Sequence, residues 1–282
     1  PVAFYEAHLQ SEQGWNMLGG LFPGGCLIFH GTNENLGWAH TVNYQDKLDV
    51  FQLEINPNNK NQYKFDGEWI ELEKDKAKLK VKGIPITIGK KIYWSKYGAT
   101  VKTDKGVFSL RVPATMDIKA LEEWYRMNKA KNFTEFYSAL SMTSLPMFNV
   151  MYADRYDTIF YISNGKIPVR NPDPKYNWKS TIAGNTSNTL WTTFKPVQQL
   201  PQYVNPPSGY LYNTNHSPFL ATDKKYNLDP KKFDRNDGYE TYHNNRSQRV
   251  TELINNEKID YSTFKKIKFD QQLPKELKYT YG

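Results

Sequence analysis

Residues 35–55 read NLGWAHTVNYQDKLDVFQLEI. Two stretches rich in β-branched and aromatic residues, Leu36–Asn43 and Val50–Ile55, flank a short acidic turn, Asp46-Lys47-Leu48-Asp49. Their alternation predicts two strands, with a pair of carboxylates three residues apart between them. Such a turn can offer carboxylate and backbone-carbonyl oxygens to a hard cation such as calcium, although acidic turns ordinarily face water.

The pattern extends in both directions. Upstream, Ala3–Leu9 and Cys26–His30 read as further strands, with Gly19-Gly20 and Gly24-Gly25 as tight loops around Phe22-Pro23. Downstream, residues 62–112 read as an antiparallel meander, with turns at Asp66-Gly67, Lys82-Gly83 and Lys105-Gly106. The period then changes. Asp117 is expected to cap a helix that buries Ile118, Leu121, Trp124 and Tyr125. Asn132 with Glu135 forms a capping-box pattern before Phe133, Phe136, Tyr137 and Leu140. Residues 148–170 return to strand, as a hairpin turning near Asp154–Thr158. Residues 171–235, rich in Pro, Asn and Thr, read as long surface loops with one ordered piece, Gly209–Asn213. Asn244–Asn255 and Ser262–Phe269 read as helices. Strands, then helices, then strands predict an α+β fold with a helix layer on a sheet. No repeat or boundary divides residues 1–282, which are expected to form a single domain.

Composition narrows the function classes. Of 282 residues, 39% are hydrophobic and 23% charged, enough for a packed core. Aromatics reach 15%, which suits sheet faces or a ligand cleft. The net charge is +8, with lysines gathered in Lys74–Lys105 and Lys258–Lys278. The alternation Lys78, Leu79, Lys80, Val81, Lys82 reads as the solvent face of a strand, and no nucleic-acid motif accompanies it. Cys26 is the only cysteine, so no internal disulfide can form. No apolar run approaches the ~20 residues of a membrane span. The chain opens on Pro1 without an initiator Met and reads as an internal or processed piece. GxSxG, Walker, HExxH and CxxC motifs are absent, and His8, His30, His40, His216 and His243 are scattered. Asn213-Thr214-Asn215-His216 could cap turns, or its amides could stabilise an oxyanion without titrating.

Four stretches in order resemble the penicillin acylase family: Asn35–Val42 followed by Asp46 and Asp49; Asn149–Asp154 with Ile167–Arg170; Asn205–Pro218; and Arg249–Glu252. The resemblance implies an N-terminal nucleophile hydrolase with an αββα sandwich, released by autoproteolysis. A Ser hydroxyl at the new N-terminus attacks a linear amide, and its own α-amino group, with a free pKa of about 7.7–8.0, is the base. By position, Val42 matches the backbone donor of the oxyanion hole, Asn215 the side-chain donor, and Arg249 an arginine ordering the network beside them. Phe29, His30, His40 and Phe148 match the lining of the acyl pocket. Asp46, the carbonyl of Leu48 and Asp49 match a structural calcium turn. No organic cofactor is implied. The matching nucleophile lies upstream of Pro1, so this chain reads as the front part of a β-subunit, inactive by itself. Its expected partners are an N-acyl amide substrate, an α-subunit and the remainder of the β-subunit, in the bacterial periplasm or outside the cell. The alternative is a non-catalytic relative that keeps the cleft for acyl ligands.

Overall fold

A computed structural model describes residues 3–254 and 258–277. The first half runs through β1 (Tyr5–Ser11), β2 (Trp15–Leu21), β3 (His30–Thr32), β4 (Leu36–Thr41), β5 (Asp49–Leu53), β6 (Ile55–Asn56), β7 (Asn59–Phe65), β8 (Glu68–Glu71), β9 (Glu73–Lys80), β10 (Thr87–Ser95), β11 (Gly98–Thr103) and β12 (Gly106–Arg111). Then come α1 (Ala120–Lys129), α2 (Phe133–Leu140), β13 (Met147–Asp154), β14 (Ile159–Gly165), β15 (Ile182–Ala183), β16 (Gln202–Val204), α3 (Asn245–Leu253) and α4 (Tyr261–Lys268). Asn255, the expected end of the third helix, lies outside the described residues.

The chain packs as two compact units. One comprises Pro1–Gln45, Ile118–Lys166 and Pro196–Gly282, and the other Asp46–Asp117 and Ile167–Lys195. Each draws on segments far apart in sequence, so no linker marks the division.

The first unit holds a seven-stranded antiparallel sheet in the order β1-β2-β3-β4-β13-β14-β16. Trp38 stands opposite Tyr152, which stands opposite Phe160, so the three share one face. Helix α2 covers that face: Phe136 packs 5.5 Å from Trp38 and 4.7 Å from Tyr152, and Phe133 packs 5.1 Å from Phe160. Asn132 caps α2 by accepting from Glu135 N at 2.9 Å, while the Glu135 carboxylate reaches back to Lys131 N. The hairpin turn forms as expected, with Asp154 accepting from the N–H groups of Tyr156 and Thr158.

Several elements differ from the sequence reading. Gly19 and Gly20 lie inside β2, not in a loop: a Cβ on Gly19 would fall 2.1 Å from the His30 carbonyl, so glycine permits the close approach of β3. Only His30 of the expected strand Cys26–His30 belongs to a strand. Asp117 does not cap α1, whose N-cap is Lys119; Ile118 is 96% exposed. The helix instead buries Glu123, Met127 and Asn128. The carboxylate of Glu123 accepts from Ser144 N and Leu145 N, and Asn128 bonds both the N–H and C=O of Ile28. Polar residues face inward here because they satisfy backbone that no strand pairs. Nor are residues 171–235 merely surface loops, since Trp178, Trp191, Tyr203 and Phe219 are buried. Gly209–Asn213 forms no strand; the paired segment is Gln202–Val204.

The second unit carries a six-stranded sheet, β15-β5-β12-β11-β10-β9, antiparallel except for β15 on β5, and a small sheet β6-β7-β8. The meander turns fall where Asp66 and Gly67 adopt positive φ and where Gly83 and Gly106 do likewise. Its core gathers Phe51, Tyr63, Phe65, Tyr97, Trp178 and Trp191.

Replacing Asn128 with Leu leaves the buried Ile28 N–H and C=O without partners. The full-length protein is expected to lose about 2–4 kcal/mol, read by urea denaturation.

Candidate active site

Strand β4 ends at Thr41, and Val42 follows it, half-exposed. Pairing with β13 sets Thr41 opposite Asn149 and His40 opposite Val150. Alternation therefore sends His40 and Phe148 to the helix face and Thr41 and Asn149 to the other.

On that other face lies a network of neutral side chains. The Tyr161 hydroxyl, fully buried, donates to Asn149 Oδ1 at 2.8 Å. The Asn149 amide donates towards Thr41 Oγ1, the Val42 carbonyl and Asn213 Oδ1 at 3.2–3.3 Å. Thr41 donates to Asn213 Oδ1 at 2.6 Å, and the same oxygen accepts from Asn215 N at 2.9 Å. Asn215 sits at φ 59, a left-handed conformation that asparagine tolerates better than most residues. Its Nδ2 donates to the Val42 carbonyl at 2.9 Å, and its Oδ1 accepts from Arg246 Nη2 at 2.8 Å. Since Arg246 can only donate, the amide orientation is fixed, with Nδ2 towards Val42. One partner of that nitrogen is found among the described residues, so its second N–H remains available to a ligand. The Asn244 side chain clamps the loop by donating to the carbonyls of Thr214 and Asn215.

The geometry thus joins Val42 and Asn215 but not Arg249. Arg249 pairs with Asp270 at 2.9 Å, with Glu252 at 3.2 Å and with Gln272. Two carboxylates draw its charge away, and Arg246, one turn earlier on α3, makes the contact to Asn215. Arg246 carried no sequence signal distinguishing it from Arg249. Asn149 and Asn213 were legible as motif members but not as a network, and Tyr161 lay outside the motifs.

Phe29, His30, His40 and Phe148 come together on the helix face. Phe29 lies 4.5 Å from His30, 4.7 Å from His40 and 5.3 Å from Phe148 between ring centroids. Trp124 of α1, absent from the sequence reading of this pocket, joins them 5.4 Å from Phe29. Phe148 holds φ 121, a strained value for a side chain of this size. Trp124 Nε1 donates to His40 Nε2 at 3.0 Å, and His40 N donates to His30 Nδ1 at 3.3 Å. The indole has only a donor, so His40 Nε2 is unprotonated and the ring neutral. Burial, assisted by the neighbouring His30, pushes the His40 pKa down to about 3.

In the second unit, Asp49 Oδ2 accepts from Arg170 Nε at 2.9 Å and Trp191 Nε1 at 2.7 Å. Arg170 also reaches the Asp46 carbonyl at 3.0 Å and its carboxylate at 3.3 Å. Burial raises the Asp49 pKa, and Arg170 opposes the rise. Asp49 Oδ1 is buried without a hydrogen-bond partner among the described residues. With Arg170 already paired to both carboxylates, the turn offers a hard cation one unsatisfied carboxylate oxygen as its donor set. It is a partial set, because no cluster of three or more acidic, His or Cys side chains occurs among the described residues.

His216 is held neutral as well, accepting from Thr214 N and bonding the Leu220 carbonyl, with burial lowering its pKa to about 4. Both folded values lie below the ~6.5 of an unfolded histidine, so unfolding takes up protons in acid. Stability is full above about pH 6.5 and falls as pH drops towards those folded values, by about 1.4 kcal/mol per unit for each ring. Urea titrations between about pH 7 and pH 5 are expected to show this slope, and His40→Gln to reduce it by one ring's share.

Comparison with known proteins identifies the family and the fold. The penicillin amidase family model matches residues 1–278. The chain is 24% identical to the acyl-homoserine lactone acylase PvdQ of Pseudomonas fluorescens over 247 residues, 78% of this chain and 32% of that protein. The PvdQ of Pseudomonas savastanoi pv. phaseolicola is 28% identical, with the same coverage. Penicillin G acylase of Escherichia coli is 26% identical over 70% of this chain and 23% of its own length. The chain therefore spans about a third or less of these curated relatives. Among solved structures, penicillin G acylase from Alcaligenes faecalis superposes with a TM-score of 0.74 at 25% identity, over 91% of this chain and 44% of that one. The mixed fold with antiparallel sheets expected of N-terminal nucleophile hydrolases is the one present, and the chain belongs to the penicillin amidase family.

Proposed function

We propose that this chain supplies the oxyanion hole and acyl pocket of an amidohydrolase that cleaves N-acyl substrates through an acyl-enzyme. The observation that carries this is the Asn215 amide, oriented by Arg246 against the Val42 carbonyl and keeping an N–H for a ligand. In this reading the Val42 N–H and Asn215 Nδ2 donate to the oxygen that becomes negative as the nucleophile adds to the amide carbon. The nucleophile is a Ser hydroxyl at an N-terminus created upstream of Pro1, with its own α-amino group taking the proton. Collapse of the intermediate expels the amine, and water then releases the acid. Neutral donors suit this role, since they stabilise the developing charge over a wide pH range.

Phe29, Phe148 and Trp124 would enclose the acyl chain, with the His30 and His40 rings packed beside them. A pocket carrying two imidazoles is more polar than a phenylacetyl slot requires. Penicillin G, on which the Escherichia coli relative acts by name, is therefore not expected to be the natural substrate, which leaves acyl-homoserine lactones, on which the PvdQ relatives act by name, acylated peptides and other N-acyl amines. Asp46, Asp49 and the Leu48 carbonyl would hold a structural Ca2+, which would brace the turn and take no part in the chemistry. An α-subunit and further β-subunit sequence are the expected partners, in a periplasmic or secreted bacterial enzyme.

The decisive experiment is N-terminal sequencing and intact-mass analysis of the product of the complete gene. A new N-terminus at Ser, Thr or Cys upstream of Pro1 supports the amidase. An uncut product, or a non-nucleophilic residue there, leaves Asn215 and Val42 as parts of an acyl-binding cleft. In the processed enzyme, Asn215→Ala is expected to lower kcat by about 10²–10³, with little change in KM. Calcium at about 100-fold its Kd is expected to stabilise the protein by roughly 2.7 kcal/mol, an effect absent in Asp49→Asn and read as a shift in Tm.

A further inference from the structure

The β9–β10 ribbon is a strongly charged feature that acyl transfer leaves unused. Its register places Lys76 opposite Lys91, Lys74 opposite Tyr93, Lys78 opposite Gly89 and Lys80 opposite Thr87. Directly opposed residues share a face, so Lys74, Lys76, Lys78, Lys80 and Lys91 stand together. A Cβ on Gly89 would fall 2.1 Å from Lys76 Cε, so the bare glycine lets that lysine stem lie across the neighbouring strand. Lys102 of β11 approaches from the sheet side, its ammonium 4.3 Å from the Tyr93 ring centre. Among the described residues, the ion pair found for these ribbon lysines is Lys74 with Glu71, at 3.8 Å and exposed. Like charges set directly opposite destabilise a sheet, so Lys76 facing Lys91 is a cost to the fold.

Towards the tip, the ribbon's second face, turned away from these lysines, carries aliphatic side chains. Leu79 stands opposite Ile88, and Val81, Ile84 and Ile86 complete the tip around Gly83. Leu79 and Val81 are each 48% exposed, Ile84 45%, Ile86 65% and Ile88 46%. Lysines on an edge strand also discourage edge-to-edge pairing, and β9 is an edge. That purpose would be served by the lysines alone and gives no reason for five exposed aliphatic side chains at the tip.

We propose that this ribbon docks the protein on an anionic lipid bilayer, the aliphatic tip entering the interface while the lysines meet the headgroup phosphates. The two features are complementary to one surface. Apolar side chains gain by leaving water for the acyl boundary, and lysine stems can lie along it while their ammonium groups stay with the anions. A soluble polyanion would engage the lysines and leave the tip in water. The proposal does not depend on the amidase reading, because it concerns only β9, β10 and their turn.

The test is flotation of the full-length protein with vesicles of pure phosphatidylcholine and of equimolar phosphatidylcholine and phosphatidylglycerol. Binding to the anionic vesicles, weakened by salt, is expected. The triple variant K76Q/K78Q/K91Q should lower the partition coefficient on the order of a hundredfold, from roughly fivefold per lysine. I84S/I86S should lower it as well, with both variants keeping the parent's circular dichroism. No preference for anionic vesicles overturns the proposal. So does unchanged vesicle binding by I84S/I86S together with full competition by soluble polyphosphate, which would mark the face as a polyanion site.

Discussion

The pairing of β4 with β13 is the constraint on which the site depends. With Thr41 opposite Asn149, one face of two adjacent strands receives Trp38, His40, Phe148 and Tyr152, and the opposite face receives Thr41 and Asn149. A slip of one residue would exchange the aromatic cluster for the amide network and leave neither against its partners. The aromatic packing of α2 on Trp38 and Tyr152 therefore holds the register as well as the core.

Much of this was readable from the residues. The meander with its glycine turns, the Asn132 cap and the Asp154 hairpin follow from local chemistry, and each formed as that chemistry dictates. The misread parts are those where a distant partner decides. Gly19-Gly20 has the composition of a turn, but its lack of side chains serves contact with β3. The inward face of α1 is set by Glu123 and Asn128 because backbone N–H and C=O groups at Ile28, Ser144 and Leu145 need partners, and periodicity of apolar residues cannot register that need. For the site, Val42 and Asn215 were reached only through family motifs. Arg246 was missed because two arginines on one helix differ only in which carboxylates stand nearby.

The two units use polar residues in different ways. In the second, Arg170 spans Asp46 and Asp49, a buried charge pair whose removal would strand an ion in a low-dielectric setting. In the first, the groups around Asn213 and Asn215 are hydroxyls and amides, and the charge reaching them comes from Arg246 on the exposed side. Charge braces the turn at Asp49, whereas the loop at Asn215 relies on hydrogen-bond direction.

That choice of neutral groups has a consequence for enzymology. Thr41, Asn149, Asn213, Asn215 and Asn244 have no proton to exchange in the working range, and burial drives the Tyr161 hydroxyl far above its ordinary pKa. Around the proposed oxyanion donors these groups are thus silent to protons, and the neighbouring titratable ring is His216, which accepts from Thr214 N and has its pKa lowered to about 4. A bell-shaped activity profile measured on such a frame would report the nucleophile's own amine, the substrate or the fold's histidines. Under the proposed mechanism, the pH axis above the His216 value would report chemistry at the nucleophile or on the substrate, and not titration of these amides and hydroxyls.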